Sequence, residues 1–186
     1  MPLDQVTLVG VGQGKPMFTA LQQGNIDAAI ATDPAAIQML DSEDASLLFD
    51  LVTYDDTDRF FPGGYQFTGL LTRADVIDQH PEIVQKMVNA LLRTSRFIVS
   101  HSATDIAARL PPAAKADRFV FIRSIEHSRS VFSQNGLVIP QAVENNLKAQ
   151  IALGRLSSGQ KLRVTDFYDM NFVQAALHGQ IPSVAK

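Results

Sequence analysis

Short apolar runs alternate with segments of helical period along the first part of the chain. The runs are apolar and rich in β-branched residues, which is typical of strands buried on both faces of a parallel sheet. We therefore predict strands over residues 6–11, 26–31, 46–52 and 65–73. Prolines near the start of the intervening segments predict helices over about 16–23 and 34–40. Strands that alternate with helices indicate an α/β fold with a mainly parallel sheet.

The pattern changes after residue 75, where helical period dominates as far as residue 153. The strongest segment is 81–99, in which apolar residues recur every three or four positions after a proline and a glutamate in the first turn. Further helices are predicted after Ser102, over about 115–132 and over 140–154, with two short turns near the C-terminus. The stretch 53–64 is polar and turn-rich, which favours a surface connection between two bodies.

Composition and charge exclude several classes of function. The chain has 186 residues and a net charge of −3, without a Lys/Arg cluster, so we expect no nucleic-acid partner. Cysteine is absent, which excludes disulfides, thiolate nucleophiles and cysteine metal sites. No apolar run is long enough for a membrane span, and the first residues lack the pattern of a signal peptide.

Three alternating glycines stand between the first predicted strand and helix, in the string "VGVGQGKP" at residues 9–16. A phosphate-binding P-loop needs a different glycine spacing and a Ser or Thr after the lysine, where this chain has Pro16. The dinucleotide fingerprint fails as well, because Gly10, Gly12 and Gly14 are spaced G-x-G-x-G. Two interpretations remain: a tight strand-to-helix turn, or a turn whose backbone N–H groups hold an anion or another oxygen-bearing group.

Thr32 and Asp33 occupy the equivalent place after the second predicted strand. They either cap the helix that follows or contribute polar contacts to a ligand at the carboxyl edge of the sheet. The four histidines are far apart in sequence without metal-ligand spacing, and we assign them to surface or capping positions. The sequence also lacks a Gly-x-Ser-x-Gly nucleophile elbow.

The string "VTLVGVGQGKPMFTALQQGNIDAAIATDP" resembles the core of solute-binding proteins of ABC importers. The group concerned serves nitrate, sulfonates, taurine and thiamine-pyrimidine precursors. "YQFTGLLTRADVIDQHPEIVQKMVNALLRT" is similar to the returning strand and following helix of that family, and "VTDFYDMNFV" to its C-terminal turn. The resemblance spans nearly the whole chain.

The resemblance implies a two-lobed α/β fold of the periplasmic binding protein-like II type, N-terminally incomplete, with a helical C-terminal half. Residues 1–62 are then the remainder of ligand-binding lobe 2, and residues 63–186 the returning strand and helical part of lobe 1. It also implies a periplasmic or other extracytoplasmic location. An incomplete sheet has an unpaired edge, through which we expect a homodimer.

The function implied is binding of a small polar or anionic solute in a cleft between lobes, for delivery to the transmembrane subunits of an ABC permease, without catalysis or a cofactor. Closure of the lobes around the solute is the expected mechanism. The alternatives are an enzyme resembling the thiamine-pyrimidine-precursor synthases of this fold, and the sensing module of a regulator. The expected ligand-binding residues are Gly12, Gln13, Gly14, Lys15, Thr32, Asp33, Tyr65 and Gln66.

Overall fold

The computed structural model describes residues 3–111, 117–157, 159 and 161–179. These residues form α-helices joined by irregular segments and three short 3₁₀ turns. The 3₁₀ turns are Leu3–Gln5, Arg129–Val131 and Val164–Phe167. The helices are α1 (Lys15–Gln22), α2 (Ala35–Asp41), α3 (Tyr54–Phe60), α4 (Ala74–Gln79), α5 (Pro81–Ser100), α6 (Ala103–Ala108), α7 (Arg118–Ser128), α8 (Pro140–Ala152) and α9 (Asn171–His178). None of the helices in these ranges is long and apolar enough to cross a membrane.

The predicted α/β, two-lobed periplasmic binding protein-like II fold is wrong, because the described ranges contain helices and no strand or sheet. The four runs predicted as strands are irregular segments between the helices. A strand exists only when its backbone pairs with a neighbour, and residues 6–11 and 26–31 make no backbone hydrogen bond to another described residue. Their side chains are correspondingly exposed: Leu8 is 84% and Ile30 is 95% exposed, and Leu71 in the fourth run is 91% exposed.

The chain divides into two compact units. The first comprises Met1–Phe49 and Ala103–Ser128, and the second comprises Asp50–Ser102 and Arg129–Lys186. The predicted lobe boundary between residues 62 and 63 stays a prediction.

The first unit is a small helical assembly in which α7 packs against both α6 and α2. Its interior is built from apolar side chains of the four helices. The buried residues are Met17, Ile37, Met39, Ala103, Ile106, Ala107 and Val120. Helix α1 confirms the prediction for 16–23 to within one residue, with Pro16 in its first turn. The glycine-rich turn and the start of α2 are therefore attached to a packed helical body.

The second unit is organised around α5, which packs against α4 and α9. The predicted helix over 81–99 is confirmed as Pro81–Ser100, with Val84 and Leu92 buried. The side-chain amide of Gln85 is also buried and donates a 3.0 Å hydrogen bond to the backbone oxygen of Phe172 in α9. Helix α8 confirms the prediction for 140–154 and packs against the 3₁₀ turn Val164–Phe167.

The stretch 53–64, predicted as a polar connection, contains helix α3. Thr53 is its N-cap, and the Thr53 hydroxyl accepts a 3.2 Å hydrogen bond from the Asp56 backbone N–H. Asp55 and Asp56 lie in the first turn, where the helix dipole favours negative charge. The acidic and turn-forming residues that suggested a loop are thus the start of a helix. The predicted helix over about 115–132 begins, within the described ranges, at Arg118, while residues 115 and 116 lie outside them.

Candidate functional site

The glycine-rich turn leaves backbone donors at the start of α1. Gly12 and Gly14 have φ of 76° and 68°, in the region that glycine adopts without strain. Gly14 is the N-cap of α1 and has no side-chain cap hydrogen bond. The first bond of the helix is donated by Phe18 to the Gly14 oxygen at 3.1 Å, so the N–H groups of Lys15 and Met17 precede the hydrogen-bonded part of the helix.

The start of α2 lies beside this turn, and the two border an open, solvent-accessible cavity of about 460 Å³ within the first unit. The cavity is lined by the glycine-rich turn, the first turn of α1 and the segment that leads into α2. Its lining residues are Gln13, Gly14, Lys15, Met17, Thr32, Asp33, Pro34, Ala35 and Gln38. Five of the predicted site residues, from two turns separated in sequence, therefore lie at one cavity, while Gly12 stands immediately before it.

Thr32 and Asp33 do not act as side-chain caps of α2. The N-cap of that helix is Pro34, and the helix start has no side-chain cap hydrogen bond. Thr32 contributes through its backbone, because its carbonyl oxygen accepts a 3.2 Å hydrogen bond from the Ala36 N–H. The prediction that the two side chains cap α2 is therefore wrong. Both residues line the cavity.

Asp33 is held by a histidine that lies 94 positions further along the chain. Nδ1 of His127, on α7, lies 2.8 Å from Oδ2 of Asp33. Since a carboxylate oxygen only accepts, the ring nitrogen donates this hydrogen bond. The Asp33 side chain is 13% exposed and that of His127 is 30% exposed. From the sequence alone His127 is expected at the surface or at a cap, because nothing in its local sequence connects it with Asp33.

The cavity combines groups of opposite charge. Lys15 is an exposed, positively charged residue in the first turn of α1, where the helix dipole also favours an anion. Asp33 brings a fixed carboxylate, and Gln13, Thr32 and Gln38 add neutral polar groups. Buried Met17 supplies an apolar wall. Such a lining can bind a small polar molecule, and the described residues contain no cluster of three or more His, Asp or Glu that could hold a metal ion.

Tyr65 and Gln66 belong to the second unit and are engaged there in local contacts. The Gln66 backbone N–H donates to Oδ1 of Asn146 at 3.0 Å, and Nδ2 of Asn146 donates to the Gln66 oxygen at 2.7 Å. The Tyr65 ring lies 4.7 Å from the ring of Phe61 and 5.1 Å from that of Phe67, measured between centroids. A role for Tyr65 and Gln66 in ligand binding stays a prediction.

Comparison with known proteins supplies the family. The sequence model of the NMT1-like family matches residues 2–111, which is more than half of the chain. The protein belongs to the NMT1-like family, and the resemblance to this group of solute-binding proteins is confirmed. A solved structure of a protein from Bordetella bronchiseptica RB50 is similar, with 26% sequence identity and a TM-score of 0.80 over 95% of this chain. The chain spans 56% of the length of that protein. No curated protein matches the sequence.

Proposed function

We propose that this protein binds a small polar or anionic solute of the nitrate, sulfonate or pyrimidine-precursor class in the cavity between the glycine-rich turn and α2. One observation carries the proposal: Lys15, the backbone N–H groups at the start of α1 and the Asp33 carboxylate, which His127 holds by a hydrogen bond, all lie at one cavity. A volume of about 460 Å³ lies within the range of small-molecule sites. Membership of the NMT1-like family supports the same function.

Binding follows from charge and backbone geometry. An anionic group of the solute accepts hydrogen bonds from the Lys15 and Met17 amides and is attracted by the Lys15 ammonium group. Polar groups elsewhere on the solute meet Thr32, Asp33 and Gln13. A dissociation constant near a micromolar corresponds to about −8 kcal/mol and is adequate for a carrier.

The proposed physiological role is delivery of the solute to the transmembrane subunits of an ABC importer, outside the cytoplasm. The family supports this role, and a pull-down against candidate permease subunits, with and without solute, tests it. The protein acts without chemical transformation. An enzyme of the thiamine-pyrimidine-precursor type would hold pyridoxal phosphate as an imine on a lysine, so incubation with pyridoxal phosphate should give no absorbing adduct at Lys15.

We also propose that a second copy of the chain covers the exposed apolar side chains of the irregular segments, among them Leu8 and Ile30. Exposed apolar surface of this kind is typical of interaction surfaces, and its burial favours association. Sedimentation at increasing concentration should show a dimer. A monomer at every concentration would contradict this part of the proposal.

Isothermal titration with nitrate, ethanesulfonate and an aminopyrimidine tests the binding site. At a ligand concentration one hundred times the dissociation constant, the bound protein should also gain about 2.7 kcal/mol of stability. Lys15→Gln should weaken binding of the anion by about ten- to a hundredfold, since a charge-assisted hydrogen bond contributes roughly 1.5–3 kcal/mol. Lys86→Gln, at an exposed position of α5 in the second unit, is the matched control. Equal affinity of both variants would refute the site.

A further inference from the structure

Helix α7 contacts the segment 33–41 through two pairs of side chains. His127 forms a hydrogen bond with Asp33, just before α2, and Arg123 forms an ion pair with Asp41, the last residue of α2. His127 and Arg123 are four positions apart and therefore lie on the same face of α7. Between them, Ser124 is buried, and its hydroxyl donates a 2.8 Å hydrogen bond to the Val120 oxygen within α7. The face of α7 that packs on α2 thus fixes both ends of the segment.

Only one of these two contacts involves a residue that lines the cavity. Asp33 lines the cavity, while Asp41 and Arg123 do not. His127 is not part of the lining either, so it acts on the cavity through Asp33. Within the part of the chain that the structure describes, Oδ2 of Asp33 takes the hydrogen bond from His127 and Oδ1 accepts none. One oxygen is therefore used to fix the carboxylate, and the other is available to a ligand.

We infer that His127 is a positioning residue that aims Oδ1 of Asp33 at the bound solute, so that the cavity selects solutes with a hydrogen-bond donor in addition to an anionic group. This inference rests on the proposed solute site. A carboxylate free to rotate could turn its charge away from the solute or into water, whereas a carboxylate held by a hydrogen bond presents the same acceptor each time a solute enters. Lys15 and the backbone amides at the start of α1 bind the anionic group of the solute, and Oδ1 of Asp33 accepts a hydrogen bond from the donor group of the solute.

The selectivity follows from the cost of an unmatched group. A solute that lacks a donor desolvates the Asp33 carboxylate without replacing its hydrogen bonds to water, and it also places its own anionic charge in the same cavity as that carboxylate. A solute with an ammonium group replaces those hydrogen bonds. Ethanesulfonate and 2-aminoethanesulfonate differ only by this group and form a matched pair of probes. We expect the wild-type protein to prefer 2-aminoethanesulfonate by at least about tenfold.

The contact is tested first without a solute. Proton-detected ¹⁵N spectra of the wild-type protein should show a proton on Nδ1 of His127, and Asp33→Asn should shift that ring resonance. A His127 ring that does not respond to Asp33→Asn would show that the contact is absent in solution, which overturns the inference.

The effect on selectivity is tested by titrating both probes into three variants. His127→Leu removes the donor and should reduce the preference for 2-aminoethanesulfonate to less than about threefold. His127→Asn keeps a donor near the position of Nδ1 and should restore the preference. Arg123→Gln removes the ion pair between α7 and Asp41 and should leave the preference unchanged. Rescue by asparagine separates positioning from a general loss of packing, which both His127 variants share.

The outcomes separate the two proposals. If the wild-type protein binds neither probe, the proposed solute site is refuted for sulfonates, and the selectivity inferred from it is refuted as well. If both probes bind and the preference is the same in wild type and His127→Leu, the solute site stands and the role of His127 is refuted. A preference that is lost in His127→Leu and kept in His127→Asn and Arg123→Gln supports both.

Discussion

Replacement of Gly14 by alanine tests whether the backbone of the glycine-rich turn forms the site. Gly14 has φ 68° and ψ −132°, a conformation that is essentially restricted to glycine. A Cβ atom added to Gly14 meets no heavy atom within 4 Å. Any effect of Gly14→Ala therefore comes from the backbone and not from a steric clash.

The magnitude follows from the cost of this conformation. Holding alanine at such backbone angles costs about 1–3 kcal/mol, which lowers the melting temperature by roughly 2–12 °C in a protein of this size. The turn can escape the cost by changing its conformation, and this displaces the Lys15 and Met17 amides. Gly10→Ala is the control, because Gly10 also has open space around its Cβ position but does not have a positive φ. It should change stability by less than about 1 kcal/mol.

Urea unfolding followed by circular dichroism measures the stability of each variant, and titration with a solute that the wild-type protein binds measures its affinity. We expect Gly14→Ala to lower both and Gly10→Ala to lower neither. If the two variants have the same stability and affinity, the positive φ of Gly14 does not contribute to the site, and the reasoning is refuted.

Three further predictions concern the rest of the molecule. Leu92→Ala removes a buried side chain of α5 and should cost about 2–5 kcal/mol in urea unfolding, whereas exposed Leu91→Ala should cost less than about 1; equal losses would contradict the packing described. Hydrogen bonds from Arg163 lower the pKa of Asp166. This pair therefore stabilises the fold at pH values above the ordinary carboxyl pKa, and the stabilisation is lost as the pH falls through the lowered pKa. Arg163→Gln should raise the pKa of Asp166 in an NMR titration. Ile30→Lys should shift the protein toward monomer in sedimentation, and an unchanged dimer would exclude Ile30 from the interface.

The helices were predictable where two local signals agreed. The segment that became α5 has both an apolar stripe and a proline in its first turn, and α1 and α8 have the same proline signal. Helix α3 was missed because Thr53, Asp55 and Asp56 are typical both of turns and of helix starts, and the sequence alone does not distinguish the two. Local patterns therefore predict a helix most reliably when its apolar face and its start coincide.

The prediction of strands was wrong for a different reason. Apolar, β-branched composition at residues 6–11 and 26–31 indicates a preference for extended backbone, but a strand also needs a partner to complete its hydrogen bonds. Composition alone does not reveal whether that partner exists. The exposed side chains of Leu8 and Ile30 are the consequence.

The candidate site was accessible from the sequence only in part. The glycine-rich turn and the Thr32–Asp33 pair both stand out locally, because each precedes a helix and contains residues typical of polar sites. His127 does not stand out, since its partner Asp33 is 94 positions away and is brought near only when α7 packs on α2. Contacts of this range depend on tertiary packing.

The most direct test of the account is an amide ¹H–¹⁵N titration of the wild-type protein with 2-aminoethanesulfonate. We expect saturable shifts at Gly14, Lys15 and Met17 and at residues 32–38, with the largest changes at the start of α1. Saturable binding that leaves these amides unchanged and shifts other parts of the chain, or the absence of any saturable shift, would contradict it.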